Sequence, residues 1–290
     1  MVTPQQKREA VELLTGFGLS TKTACRLLSI SRSSCFYKSK MNDTDLRERL
    51  IKIAGERPRF GYKRLCLLLQ GDGLKTNHKR VYRIYRQENL AVRKRTKVRH
   101  PWRTKSPKPE VDAPNVCWSM DFMSDTLACG KKFRTINILD NFSRESLGIG
   151  VNTSLPTVRV IEVLERIKLE RGLPKEIIVD NGPEFTAKKM IIWATNNGVT
   201  MRFIDPGKPI QNAYIESFNG RMRDECLNQN WFLNLNEARR TISNWKEDYN
   251  TKRPHSSLNN RTPEQFVQQF KQKSNLQDLF EEDIKLERVS

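Results

Sequence analysis

Three observations predict an α/β fold in which a mixed five-stranded sheet with flanking helices follows an all-α front part. From Asn115 onward, strand-length apolar runs and stretches of helical period succeed one another in the order β-β-β-α-β-α-β-α. Before residue 91, apolar residues recur at helical spacing between capping residues and glycine stops. The charge divides in the same way. Residues 1–110 hold 27 Lys and Arg against 9 Asp and Glu, a net +18, whereas residues 111–290 hold 25 against 24, a net +1. A basic helical front on a nearly neutral back half points to a nucleic-acid-gripping module joined to a part with another task.

The bulk figures narrow the class. A chain of 290 residues buries one sizeable core with satellites, two or three domains in all. With 37% hydrophobic and 29% charged residues, it has the composition of a soluble globular protein. No apolar run approaches the roughly 18 residues of a membrane span, and no signal peptide opens the chain. Cys25, Cys35, Cys66, Cys117, Cys129 and Cys226 are scattered without metal-finger spacing, which reads as reduced thiols in a cytoplasm, mostly core fillers. With His78, His100 and His255 as its only histidines, the chain offers no zinc set, so a metal must be held by oxygen.

Residues 1–40 predict a helix-turn-helix. Pro4 opens a helix that Gly16 and Gly18 end. Ser20 caps a second from Thr21 to Leu28, and Ser31 caps a third that carries Arg32, Phe36 and Tyr37. Arg32 at the start of that third helix would face base edges. Residues 45–91 predict a second helical DNA-binding unit with a turn at Gly71-Asp72-Gly73. Asn77 or Thr76 caps its last helix, in which Val81, Ile84 and Tyr85 point inward and Lys79, Arg80, Arg83 and Arg86 outward toward phosphates. Residues 92–113 lack apolar periodicity and are basic and proline-rich, an extended linker in which Arg93, Lys94, Arg95 and Arg99 would lie on DNA backbone.

In residues 114–228 the strands are Val116–Met123, Phe133–Asp140, Ser146–Val151, Glu176–Asp180 and Thr200–Ile204, the first three antiparallel. Helices are predicted over Pro156–Glu170 and Thr186–Asn197. A last helix lies within Lys208–Leu227. At helical spacing it gathers Tyr214, Ile215, Phe218 and Met222 on one side and Asn212, Glu216, Asn219 and Arg223 on the other. Residues 229–272 form a helical extension and 273–290 a tail with an acidic run.

Glu216 on that polar face joins two upstream acids, Asp121 in WSMDF and Asp180 in VDNGPEF, in the pattern D-x58-D-x35-E. Asp121 sits mid-strand among apolar residues, where an unpaired carboxylate is expensive to bury. Asp180 ends a strand in the crevice position where open α/β sheets place ligands. Three acids on rigid elements suit two Mg²⁺ ions acting on a phosphodiester, with Asn212, Asn219 and Arg223 positioning DNA. Asp140 also ends a strand, but it precedes NFSR, a turn where Asp commonly bonds backbone. Asp125 and Glu184 fall in expected loops. His255 reads as a structural or DNA-contact residue rather than a base, because two-metal chemistry needs no histidine.

WSMDF, VDNGPEF and NAYIESFNGRMRDE resemble the DDE catalytic core of the retroviral-integrase superfamily. More narrowly, with FGYKRL, VYRIYRQENL and YNTKRPHSSLNNRTPEQF, the chain resembles the OrfB-type transposases of the insertion-sequence-three family to about residue 270. The resemblance implies a ribonuclease-H-like core with Asp121, Asp180 and Glu216 as catalytic residues and ligands of two Mg²⁺ or Mn²⁺ ions. It also implies nicking of the 3′ ends of a mobile element at its terminal inverted repeats, joining of the ends into a circular intermediate, and insertion into target DNA. Expected partners are double-stranded DNA, further copies of the chain, and an upstream-frame protein or fusion carrying a leucine zipper, for which this chain shows no heptads. The expected setting is a bacterial cytoplasm at the nucleoid. A ribonuclease-H-fold nuclease without strand transfer and a non-catalytic DNA-binding regulator are the competing readings.

Overall fold

The computed structural model describes residues 3–37, 42–92, 111–205 and 209–274, and the chain forms two compact units, Met1–Arg49 and Leu50–Ser290. The predicted linker contacts Arg93, Lys94, Arg95 and Arg99 and the acidic tail lie outside the described residues.

The first unit holds α1 (Pro4–Gly16), α2 (Thr21–Leu27) and α3 (Arg32–Cys35) around a small core of Val11, Ala24 and Cys25. The caps sit where the sequence places them. Thr3 caps α1 with Gln6 in a reciprocal box, and the hydroxyls of Ser20 and Ser31 accept from Thr23 N at 3.2 Å and Ser34 N at 3.0 Å. Gly18, at φ +91°, turns the chain out of α1. The third helix differs from expectation. Its four residues, RSSC, form one turn, and Phe36 and Tyr37 follow it, because serine hydroxyls compete for backbone partners and hold the chain to capping geometry.

α4 (Thr44–Glu56) leads to α5 (Tyr62–Gly71) and α6 (His78–Gln87), which meet across the glycine turn, with Gly73 at φ +85°. Asn77 provides the cap, its Oδ1 accepting from Lys79 N at 2.9 Å. Val81, Ile84 and Tyr85 are buried, as their spacing predicts.

The sheet contains β1 (Cys117–Thr126), β2 (Lys132–Asp140), β3 (Ser146–Asn152), β4 (Glu176–Val179) and β5 (Thr200–Phe203) in the order β3-β2-β1-β4-β5. β1, β2 and β3 are antiparallel neighbours, and β4 and β5 join parallel to β1. α7 (Thr157–Arg171) makes the crossover before β4, then α8 (Pro183–Thr186) and α9 (Lys188–Asn196) precede β5. The helix predicted over Thr186–Asn197 starts at Lys188, and an unpredicted turn, α8, precedes it, with Pro183 at its first position after Gly182. β1 runs longer than predicted, so Asp125 lies in a strand and not a loop. Glu184 lies in α8 and pairs with Arg134.

Period-two alternation sorts the sheet residues onto two faces. Trp118, Met120, Ile136, Ile138, Ile177 and Val179 pack with α7 and α9. Phe133 and Leu139 pack on the opposite face with Ile215, Phe218 and Met222 of α10 (Ala213–Glu225) and with Ala238, Ile242 and Tyr249 of α11 (Leu235–Thr251). β3 is an edge strand, and side chains of α11 cover its free rim. Arg239 donates to Val151 O at 3.0 Å, Lys246 to Leu147 O at 2.9 Å, and Asn250 exchanges bonds with Ser146.

Candidate active site

Register brings two of the three acids together. In the parallel pair, Trp118 aligns with Ile177 and Ser119 with Ile178. The pairing ends there, and two residues further along each chain segment stand Asp121, still within β1, and Asp180, just past the end of β4. Alternation sends Asp121 to the α10 face, since Met120 faces the other core. Asp180 Oδ1 accepts from Gly182 N at 3.0 Å, and a Cβ on Gly182 would stand 2.9 Å from that oxygen, so the turn needs glycine to clear the carboxylate.

α10 supplies the third acid. Its polar side is tied along β1 in order: Asn212 Nδ2 donates to Met120 O at 3.4 Å, Asn219 Nδ2 to Asp121 Oδ2 at 2.8 Å, and Arg223 Nη2 to Ser124 O at 2.6 Å. Glu216 lies between Asn212 and Asn219 on that side and is exposed. Asn219 also accepts from Asn137 Nδ2 at 2.7 Å, joining α10 to β2 as well as β1.

The Asp121 carboxyl is pushed up to about 6, first by burial and then by the negative charges of Asp180 and Glu216, against hydrogen bonds from Phe122 N and Asn219 that favour its ionised form. A divalent cation would relieve the charge that acts on Asp121, and carboxylate oxygens suit Mg²⁺ or Mn²⁺. Among the described residues, no three His, Cys, Asp or Glu side chains stand in a metal-holding cluster.

The remaining expected residues divide. Asn212 and Asn219 are 4% and 8% exposed, so their amides serve inside the protein and do not face DNA. Asn219 lies on the helix as expected and Asn212 just before it, and β1 covers the side they share. His255 is likewise buried, at 2% exposure. Burial and the nearby Arg253 and Arg221 hold it down to about 3, and Nε2 lies 3.4 Å from Tyr249 O, so it is a structural residue and not a DNA contact. Arg223 pairs with Asp125 at 3.1 Å and stays 35% exposed. Arg32, Lys79, Arg83 and Arg86 are exposed and Arg80 half-buried. Asp140, the rival acid, is buried and accepts from Asn115 N, Phe142 N and Ser143 N at 2.6, 2.9 and 2.7 Å, the turn role its sequence suggests. The residue that sequence reasoning missed is Asn137, whose mid-strand polarity between Ile136 and Ile138 is the available signal.

Comparison with known proteins agrees with this architecture. Integrase core domain models match residues 111–209 and 197–263, and an HTH-like domain model matches residues 41–98. The 31.7 kDa protein of insertion element IS407 from Burkholderia multivorans is 42% identical over 266 residues, 91% of this chain and 96% of its own length. The chain belongs to the OrfB-type transposases of the insertion-sequence-three family. Another relative, the 39.2 kDa protein of IS476 from Xanthomonas euvesicatoria, is 40% identical over 273 residues, 93% of this chain and 79% of its own. The putative transposase InsK of IS150 from Escherichia coli is 26% identical over 267 residues, 84% and 92% of the two chains. Among solved structures, the HTLV-2 integrase catalytic core in complex with magnesium (trimeric form) gives a TM-score of 0.44 at 18% identity, over 53% of this chain and 97% of that one. The HTH-like match falls on the second helical unit, the one containing α5 and α6. As a member of this family, the chain is an insertion-element transposase with an integrase core. No helix among the described residues is long and apolar enough to cross a membrane.

Proposed function

We propose that this transposase nicks the 3′ ends of its element at the terminal inverted repeats and transfers the freed ends, first end to end and then into target DNA. Asp121, Asp180 and Glu216 are the catalytic residues in this reading and would hold two Mg²⁺ or Mn²⁺ ions. The observation that carries it is the placement of the acids: Asn219 of α10, the helix of Glu216, bonds Asp121 of β1, and β1 pairs with β4, which Asp180 follows. Bound divalent cations supply Lewis-acid stabilisation of the attacking and leaving oxygens of an in-line displacement.

The protein's own part is placement. Asn219 holds Asp121 in one rotamer and ties it to the helix that carries Glu216. Asp180 is oriented by Gly182 N, at the open end of the sheet where a DNA backbone has access. Arg223, a partly exposed guanidinium seven residues after Glu216, is suited to a phosphate beside the acids. Lys79, Arg80, Arg83 and Arg86 on α6, with Arg32 in the first unit and Arg93, Lys94, Arg95 and Arg99 in the linker, supply phosphate contacts. Their exposed or basic setting supports binding, and base reading is not assigned to any one of them. Joining two ends calls for at least two copies of the chain on DNA, with an upstream-frame protein as a further partner.

The direct test is strand transfer on inverted-repeat duplexes with Mg²⁺, comparing wild type with Asp180→Asn. Loss of joined products with retained DNA binding is expected. Equal activity of the two proteins removes the three-acid assignment, and free ends without joined ends would make the protein a nuclease.

A further inference from the structure

Two motifs outside the acidic site, RPRFGYKRL and YNTKRPHSSL, meet in the structure around Phe60. Arg57, between α4 and α5, makes a two-pronged pair with Asp248 of α11, Nη1 to Oδ2 at 2.6 Å and Nη2 to Oδ1 at 2.5 Å. Arg253, just past α11, makes a second, Nε to Glu225 Oε2 at 2.7 Å and Nη2 to Oε1 at 2.6 Å. Arg64 of α5 reaches the same Glu225 at 3.5 Å. The guanidiniums of Arg57, Arg64 and Arg253 surround the Phe60 ring at 5.3, 5.3 and 5.7 Å. The Arg253 side chain is 2% exposed and that of Glu225 10%, so the second pair is sealed from water.

The location of these pairs matters more than their number. Glu225 is the last residue of α10, nine residues beyond Glu216 on one continuous helix, about 13 Å along its axis. α5 belongs to the region that matches the HTH-like domain model. The chain itself reaches β1 only after residue 110, whereas the ion pairs tie Arg57, just before α5, to α11 and Arg64 of α5 to α10. Paired guanidinium–carboxylate forks fix orientation as well as distance, which apolar packing does not.

We propose that the Arg57–Asp248 and Arg64–Glu225–Arg253 contacts form a ruler, holding the DNA-gripping helices at a set distance from Glu216 and so deciding which phosphate of a bound element end is cut. The proposal rests on the catalytic reading above. Arg57, Arg64, Asp248, Glu225 and Arg253 are positioning residues in it, since none of them is bonded to Asp121, Asp180 or Glu216.

The experiment uses the full chain, Mg²⁺ and an end-labelled duplex carrying the inverted repeat that flanks its own reading frame, with nicks read at single-nucleotide resolution. Wild type should give one dominant nick. Arg57→Asp and Asp248→Arg should each bind the duplex within about threefold of wild type but spread the nicks over neighbouring phosphates, lowering the dominant one about tenfold. The double variant, with the charges exchanged, should restore the single nick. Arg57→Gln, a milder change, should spread the nicks less, and it keeps the test open if a charge reversal fails to fold. Nicks that stay at one phosphate in every folded single variant, with only the total yield reduced, overturn the ruler and leave the catalytic reading intact. A wild type that makes no nick overturns the catalytic reading itself, and the ruler with it.

Discussion

Asn219 on α10 donates to Asp121 Oδ2 at 2.8 Å while accepting from Asn137 of β2, so one buried amide joins the helix of the third acid to the strand of the first. This contact sets the first prediction. Asn219→Ala leaves a carboxylate oxygen and the Asn137 amide without partners in a buried place, at a cost of about 1–3 kcal/mol. Metal-dependent nicking should fall about 10- to 100-fold, the usual consequence of losing a partner that orients a ligand. Melting and end-nicking assays on the same preparation read both, and an Asn219→Ala protein with wild-type nicking would contradict the placement role.

Glu216→Gln and Asp180→Asn should part activity from stability. Strand transfer should drop about a thousandfold or more, because several kcal/mol of transition-state stabilisation goes with the ligand set. Melting of the metal-free protein should hold or rise, because each change removes a negative charge that presses on Asp121. A variant that loses activity only in proportion to a lowered melting temperature would mark its residue as structural.

The raised Asp121 carboxyl carries a pH dependence of defined sign. Its folded form holds the proton up to about 6, whereas the unfolded chain releases it near 3.8, so between those values the native state binds more protons and stability falls as pH rises. The full penalty is at most about 3 kcal/mol and is present above pH 6. Without metal, wild type should therefore lose stability relative to Asp121→Asn as pH rises from 4 to 7. Mg²⁺ should raise the melting temperature at pH 7.5 in wild type and much less in the variant. Parallel pH–melting curves for the two proteins would remove the coupling.

His255 should not appear in the activity profile. Held down to about 3 by burial and by Arg253 and Arg221, it stays neutral at neutral pH, and its cost to stability grows as pH falls below 6.5. His255→Gln should keep the pH–rate profile of end nicking within a few tenths of a pH unit. A lost limb in that profile would return His255 to the chemistry.

Gly150 tests the packing behind the site. A Cβ there would meet Ile136 Cγ2 at 2.8 Å and Val163 Cγ2 at 2.9 Å, between the edge strand and α7. Gly150→Ala should cost about 1–3 kcal/mol through overpacking, read by denaturant unfolding. Gly220→Ala, with nothing within 4 Å, should cost little or nothing.

Much of this molecule was legible in one dimension, because the deciding physics is local. Ser20, Ser31 and Asn77 cap helices as their neighbours require, Gly73 turns the chain at positive φ, and Asp140 folds onto its own turn. The strand and helix order followed from periodicities of two and 3.6; Asp121 and Asp180 stood out in apolar and strand-end settings, and Glu216 on the polar face of its helix. The third helix of the first unit did not follow, since periodicity says little over a four-residue turn rich in serine.

What the chain alone left open were the relations between distant segments. Whether Asp121 and Asp180 stand level depends on the register of two parallel strands whose pairing joins residues 59 apart. Whether Asn212 and Asn219 face DNA or protein depends on β1 lying against α10. That Glu225 and Asp248 hold Arg253, Arg64 and Arg57 depends on α5 being brought against α10 and α11. Residue types and local spacing determined which groups could do chemistry and on what kind of element. Tertiary structure alone decided which of them meet, because a carboxylate or an amide takes its role from the partner that folding places beside it.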